Sequence, residues 1–181
     1  MQMPTEKAPG PDGFTWAFYR TCWPIIKSEV IASFHCLYNL HTGPLPKLNT
    51  ATITLLPKKE LADGVKDFRP ISLIHSFQKL VSKVLALRVA PLMDKLISNS
   101  QSAFIKKRCI QDNILYVRNL ARAYHRTKTL ALLLKLDISK AFDLVSWEYL
   151  LELMEKRGFP CRWRDWLAML LTTSGGARNE W

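Results

Sequence analysis

Residues 130 to 143 read Leu-Ala-Leu-Leu-Leu-Lys-Leu-Asp-Ile-Ser-Lys-Ala-Phe-Asp, and this stretch decides the fold class. The run from 130 to 136 is apolar except for Lys135, which is typical of a short buried strand, although a buried helix segment fits the same pattern. The strand interpretation puts Asp137 at the strand's end, where a rigid backbone suits a carboxylate that binds a metal ion. The alternative is an Asp that only ends the strand or caps the next helix.

Five segments of the chain, in order, resemble the motifs of one known family. Residues 136–143 are similar to the first palm motif of reverse transcriptases from non-LTR, LINE-type retrotransposons. The other four segments are a turn-rich amino-terminal motif, two motifs of the fingers and a Gln-x-(Gly/Ala)-Phe segment, at residues 8–14, 55–59, 67–73 and 101–105. Together the resemblance covers about residues 7 to 172.

The fold implied by this resemblance is an α/β right-hand polymerase fragment, mostly helical with a small incomplete sheet. We expect fingers and initial helices in residues 1–128, a partial palm with the first catalytic motif in residues 129–172, and a tail at residues 173–181 that does not match the family. The strand carrying Asp137 would pair with a hairpin that the sequence lacks. Its exposed edge predicts marginal solubility, self-association or a partner chain such as the missing half of the palm.

The chemistry implied by the resemblance is attack of a primer 3′-hydroxyl on the α-phosphorus of a deoxynucleoside triphosphate. RNA template and DNA primer are the expected partners, with two Mg²⁺ or Mn²⁺ ions as cofactors. Asp137 would be the catalytic metal ligand, and the backbone carbonyl of Ile138 would be a second ligand. Ala141 would let the nucleotide approach the backbone, and Phe142 would exclude a 2′-hydroxyl. Asp143 is expected to stabilise the turn.

A β-hairpin is predicted in the middle of the fingers. Residues 51–56 form a β-branched run, turn chemistry surrounds Asp63-Gly64, and residues 68–73 read as the return strand.

Four basic residues lie at the tip of this hairpin. By resemblance, Lys58 and Arg69 on neighbouring strands hold the triphosphate of the incoming nucleotide, Arg through its fixed fork of donors and Lys as a mobile charge. Lys59 and Lys66 are expected to face solvent or template phosphates.

The formal net charge of +11 is unevenly distributed. Residues 1–50 carry +1, residues 51–130 carry +10, and residues 131–181 are neutral. A basic block beside a neutral catalytic segment suits a polyphosphate partner, because phosphate contacts supply affinity that does not depend on sequence. The alternative is a solvated basic face that improves solubility.

Amphipathic helices are predicted in residues 24–40, 77–88, 109–124 and 147–156 from their apolar spacing. Along the third of these and just beyond it, Arg118, Arg122 and Arg126 recur every four residues and share one face. Like charges at this spacing repel, which indicates a nearby phosphate backbone or acidic partner, with a plain solvent-exposed face as the alternative.

Other features exclude several classes of protein. No apolar run approaches the roughly 20 residues that span a bilayer, and the amino terminus lacks a secretory pattern, so we expect an intracellular protein without a membrane. The cysteines and histidines are not spaced as zinc ligands.

The sequence contains one carboxylate of the family's catalytic set. The aromatic-Ala-Asp-Asp hairpin and the Arg-Gln-Gly-Asp-Pro-Leu-Ser-Pro segment before it are absent, so we expect the chain to be inactive alone. Three functions are compatible with the sequence: a reverse transcriptase domain fragment, a non-catalytic RNA or RNA/DNA-binding remnant, and a structural role for the open palm edge.

Overall fold

The computed structural model describes residues 8–41, 43, 45–138 and 144–176. Most of these residues are helical, and the sheet is small, as expected. The helices are α1 Trp16–Thr21, α2 Trp23–Tyr38, α3 Leu45–Leu48, α4 Ser76–Val89, α5 Met93–Leu96, α6 Ile110–Thr127, α7 Trp147–Lys156 and α8 Cys161–Thr172, with 3₁₀ turns at Val65–Asp67 and Ala90–Leu92. The strands are β1 Thr50–Pro57, β2 Phe68–Ile74 and β3 Gly175–Gly176.

The predicted hairpin is confirmed. Strands β1 and β2 pair antiparallel from Ala51↔Ile74 to Pro57↔Phe68, and the β-branched residues of β1 favour this extended backbone. The two-residue β3 runs parallel to the start of β1, which gives the strand order β2-β1-β3.

The chain divides into two compact units, which we call the first and the second unit. The described part of the first unit comprises residues 8–84 and 147–176, and that of the second comprises residues 85–138 and 144–146. The apolar core of the first unit draws on both of its segments. Its buried side chains are Tyr19, Leu37, Leu45, Leu80, Val81, Met169 and Leu170.

The helices of the first unit follow the predicted apolar spacing. Pro24 lies in the first turn of α2, where its missing N–H has no helical partner to lose. Phe34 of α2 and Phe77 of α4 meet edge to face with ring centroids 5.4 Å apart. The buried Asn49 donates from Nδ2 to the carbonyl of Leu170 over 2.6 Å, so it joins the start of β1 to the end of α8.

Helix α7 ends where the sequence predicted. Gly158 adopts a φ of +79° after the helix. Its N–H donates to the carbonyl of Glu155, and the N–H of Phe159 donates to the carbonyl of Met154. This pair of bonds is a Schellman motif, which satisfies carbonyls that the helix leaves unpaired.

The predicted strand at residues 130–136 is wrong. These residues have no regular secondary structure, and Leu130 and Leu132 are 100% and 92% exposed. A strand needs a neighbour for its N–H and C=O groups, and no strand in the described ranges pairs with this segment. Apolar composition predicts burial, but it does not supply a hydrogen-bonding partner.

None of the helices in the described ranges is long and apolar enough to cross a membrane.

Candidate nucleotide-binding and catalytic site

Lys58 and Arg69 lie on one face of the β1–β2 hairpin. Arg69 is directly opposite Leu56, so the two side chains point to the same face. The N–H of Lys58 donates to the carbonyl of Asp67 over 2.7 Å, which continues the antiparallel ladder one residue past β1. Because side chains alternate along a strand, Lys58 shares the face of Leu56 and therefore that of Arg69.

This cationic face is the more exposed face of the sheet. Ile53 and Phe68, on the opposite face, are half-buried. Lys58 and Arg69 are both exposed. The hairpin therefore presents its two predicted triphosphate ligands to solvent on the face opposite Ile53 and Phe68.

Asp67 organises the tip of the hairpin. One of its carboxylate oxygens pairs with Nζ of Lys59 at 3.0 Å and accepts from the backbone N–H groups of Asp63 and Gly64, each at 3.3 Å. The bond from Lys59 and those backbone donors hold the pKa of Asp67 below its usual value. Sequence analysis missed this role, although an Asp three residues after a turn Gly is a recognisable signal.

The charges at the tip are therefore not equivalent. The charge of Lys59 is compensated by Asp67. Lys58 donates to the backbone carbonyl of Lys66 over 2.5 Å, which orients its ammonium without neutralising it. Arg69 forms no ion pair with any residue that the structure describes. Lys58, Lys66 and Arg69 thus form no ion pair among the described residues, and of these Lys58 and Arg69 share one face of the hairpin.

The amino-terminal motif anchors the junction between β2 and α4. Asp12 accepts a hydrogen bond of 2.7 Å from the N–H of Ser76, the first residue of α4, and a second from the Ser76 hydroxyl. The Tyr19 hydroxyl lies 2.8 Å from the same Ser76 oxygen. Burial raises the pKa of Tyr19, the Ser76 bond lowers it, and the Asp12 charge raises it further. The sequence showed only turn chemistry here, because these partners are 57 and 64 residues away.

Asp137 lies in the second unit, in the irregular segment that follows Leu130. Its side chain is exposed, and so is that of Ile138. Ala141, Phe142 and Asp143 lie outside the described residues.

The donors at this point have the right chemistry for a hard divalent cation, since a carboxylate and a backbone carbonyl are both oxygen ligands. The described ranges contain no group of three or more His, Cys, Asp or Glu that could hold a metal ion. Among the described residues, Asp137 therefore offers a single exposed carboxylate and is not part of a preformed cluster of metal-binding side chains.

The predicted arginine face of α6 is present. Arg118, Arg122 and Arg126 are exposed along one side of the helix. None of the three forms an ion pair within the part of the chain that the structure describes.

The sequence model of the family "Reverse transcriptase (RNA-dependent DNA polymerase)" matches residues 56–181. The chain therefore belongs to the reverse transcriptase family, and its fold is a fragment of the polymerase fold. The matched range includes residues 173–181, which the sequence analysis set apart as a tail.

Three relatives indicate which type of reverse transcriptase the chain resembles. An uncharacterized 149 kDa protein of transposon TX1 from Xenopus laevis is 33% identical over 160 residues, which is 87% of this chain and 12% of that protein. The Pol polyproteins of the retrotransposable elements R2DM from Drosophila melanogaster and R2 from Nasonia vitripennis are 27% and 26% identical over 96% and 92% of this chain, each alignment covering 16% of the relative. The chain is a reverse transcriptase domain of the non-LTR retrotransposon type, and it spans a small part of these relatives' length. Members of this family generally use divalent metal ions.

Proposed function

We propose that this chain is part of an RNA-directed DNA polymerase, with residues 1–128 as fingers and initial helices, residues 129–172 as the first part of the palm, and residues 173–181 as the segment that follows it. The observation that carries the proposal is the pair Lys58 and Arg69. They share one exposed face of the hairpin, and neither forms an ion pair with a carboxylate in the part of the chain that the structure describes.

The substrate assigned to this pair is the triphosphate of a deoxynucleotide. The planar guanidinium of Arg69 can donate to two phosphate oxygens at once, whereas the Lys58 ammonium acts as a point charge. The Lys66 carbonyl already directs that ammonium. Lys59 and Lys66 are assigned to solvent or template phosphates, and the bond to Asp67 favours solvent for Lys59.

Asp137 is proposed as the catalytic carboxylate and metal ligand, with the carbonyl of Ile138 beside it. In the reaction, the primer 3′-hydroxyl forms a bond to the α-phosphorus while the bond to pyrophosphate breaks. Divalent cations, proposed as Mg²⁺ or Mn²⁺, would stabilise the attacking oxygen and the leaving group when bound. Ala141 is assigned to the close approach between the protein backbone and the nucleotide. Phe142 is assigned to the exclusion of a 2′-hydroxyl on the sugar.

RNA template and DNA primer are the proposed nucleic-acid partners. Arg118, Arg122 and Arg126 supply a row of exposed cations along α6, and contacts of this kind bind phosphates without regard to sequence.

The triphosphate assignment is tested by titrating a fluorescent deoxynucleoside triphosphate into the purified chain. Lys58→Ala and Arg69→Ala should each weaken binding about 10-fold or more, because a charge-assisted hydrogen bond contributes about 1.5–3 kcal/mol.

Lys59→Ala is the matched control for this experiment. It removes the same type of side chain from the adjacent position, but that side chain is already paired with Asp67, so affinity should change little. Equal losses for Lys58→Ala and Lys59→Ala would contradict the assignment, since they would reflect only the net charge of the tip.

The arginine face of α6 also supports a second candidate, a non-catalytic RNA or RNA/DNA-binding module. The two candidates differ at Asp137. In a chain joined to a palm segment that supplies the second carboxylate motif, Asp137→Asn should abolish template-primed incorporation if the domain is catalytic. Under the second candidate, incorporation is absent from the start, and RNA affinity is unchanged by the substitution.

A further inference from the structure

Phe104 is a fully exposed aromatic ring on an unfavourable backbone. Its side chain is 101% exposed, and its φ of +65° lies in the left-handed region. That conformation costs free energy for a bulky L-residue. It persists only where the surrounding structure imposes it, and such positions cluster at functional sites. Phe104 lies in a loop of the second unit, residues 97–109, which we call the aromatic loop.

Arg108 holds the first half of the aromatic loop. Its guanidinium donates to the carbonyls of Ser98 at 2.6 Å, Gln101 at 2.8 Å and Ile97 at 3.3 Å. It also pairs with Asp94 of α5 at 3.1 Å. The Arg108 side chain is only 13% exposed, so it is committed to holding the loop and not to binding a ligand.

Asn113 holds the same loop from α6. Its Nδ2 donates to the carbonyl of Ser100 at 3.1 Å and to the hydroxyl of Ser102 at 2.8 Å. Ser102 and Ile105 are buried on either side of Phe104. The backbone around the ring is thus fixed from two directions while the ring itself points away from the unit.

The surroundings of the ring are polar and cationic. The aromatic loop carries three basic residues and no carboxylate. Arg108 is compensated by Asp94, but Lys106 and Lys107 are exposed beside Phe104. An aromatic face next to ammonium groups complements a nucleobase attached to phosphates. Protein–protein interfaces are instead depleted in serine and lysine, in which this loop is rich.

We propose that Phe104 is a stacking platform for an unpaired base of a single-stranded nucleic acid, and that Lys106 and Lys107 contact its phosphates. This inference rests on the proposed function, because it names a further contact of the same nucleic-acid partner. It assigns a role to the Gln101–Ile105 segment that the nucleotide and metal ligands do not cover.

The test measures binding of a short unstructured RNA to the whole chain, with a chelator present and no nucleotide. Phe104→Ala should weaken binding about five-fold or more, since stacking on an aromatic side chain contributes substantially per base. Phe104→Trp should retain the wild-type affinity. An abasic oligonucleotide of the same length should bind wild type and Phe104→Ala equally. Tyr116→Ala removes another exposed ring of the second unit and should have little effect.

Two further measurements separate binding from structure. Phe104→Gly deletes the ring but tolerates the left-handed backbone, so it should weaken RNA binding without lowering the thermal stability of the chain. Phe104 variants should leave the slope of log affinity against log salt unchanged. Lys106→Ala and Lys107→Ala should each reduce that slope by about 0.7, the value for one phosphate contact on a single strand.

Unchanged RNA affinity in Phe104→Ala would overturn the proposal. So would full retention in Phe104→Leu, which would indicate an apolar anchor for a protein and not a stacking surface. Because the assay contains neither nucleotide nor metal, it is independent of triphosphate binding and catalysis. A failure of the proposed polymerase function would therefore be distinguishable from a failure of this inference.

Discussion

Gly10 has no room for a side chain. A Cβ at this position would lie 2.1 Å from the carbonyl oxygen of Ile74, a backbone atom at the end of β2 that cannot move independently. This close approach places the amino-terminal motif, residues 8–14, against the β2–α4 junction, where Asp12 accepts a hydrogen bond from Ser76. Glycine is required at position 10 because any side chain would overlap the backbone of Ile74.

Gly10→Ala should lower the free energy of unfolding by at least about 2 kcal/mol, because the added methyl group must displace backbone in a packed region. Urea denaturation followed by circular dichroism measures the change. Gly43→Ala is the control, since a Cβ there meets no atom within 4 Å. Similar stabilities for the two variants would show that the motif is not held against β2.

At this scale, sequence reasoning identifies residues whose chemistry is local and misses those whose partners are distant. The proximity of Lys58 and Arg69 followed from a hairpin whose strands are ten residues apart in the chain. Gly10 and Asp12 could be recognised only as turn residues, because their partners near Ser76 are over 60 residues away.

Helix α4 begins with a cap supplied from elsewhere in the chain. Asp12 accepts from the first N–H of the helix, and its charge is favourable beside the positive end of the helix dipole. Tyr19 completes the arrangement through the Ser76 hydroxyl. The start of α4 is therefore held by a neutral Tyr19 next to the carboxyl group of Asp12.

This arrangement predicts a loss of stability at alkaline pH. Tyr19 has a folded-state pKa raised above its ordinary 10.0, so its contribution is fully present below pH 10 and is lost as pH rises through the raised value. Tyr19→Phe should be less stable than wild type at neutral pH, by about 1 kcal/mol for the lost hydrogen bond, and the difference should shrink above pH 10.

Denaturant unfolding of both proteins between pH 7 and 11 provides the comparison. Tyr116→Phe, at a position that is 68% exposed, controls for general tyrosine ionisation. If the difference in the free energy of unfolding between wild type and Tyr19→Phe were constant across this range, the link between stability and the ionisation of Tyr19 would be refuted.

Among the elements, periodicity predicted the hairpin and the long helices, whose hydrogen bonds are internal or lie between neighbouring segments. It failed at residues 130–136, because a strand is defined by its partner as well as by its own composition. The resemblance of this segment to a palm motif predicted a strand before Asp137, and the structure has no strand there. The prediction that residues 130–136 are buried was wrong for the same reason.

At the scale of the whole molecule, the segment before Asp137 exposes several leucines that lie close together in the described chain. Leu130, Leu132 and Leu136 are 100%, 92% and 79% exposed, in a run with a single charge. Contiguous apolar surface of this kind promotes association.

We expect the 20.8 kDa chain to self-associate at micromolar concentration and to sediment as a larger species. Leu132→Lys combined with Leu134→Lys should shift it towards monomer, because both side chains are exposed and charge opposes strand-like pairing. Leu61→Lys, at an 89% exposed position in the hairpin tip, should leave the wild-type distribution intact. A wild-type chain that sediments as a monomer would disprove this expectation.

The bond from Asn49 to Leu170 also sets an order of events during synthesis. Its partners are 121 residues apart, and the first unit is built from two segments with the second unit between them in the chain. Ribosomes add about 5–20 residues per second, so the amino-terminal segment waits roughly 6–25 s for the α8 residues that complete its core. During that interval the nascent chain exposes the apolar surface that Met169 and Leu170 later help to bury, and surface of this kind is what chaperones in general recognise.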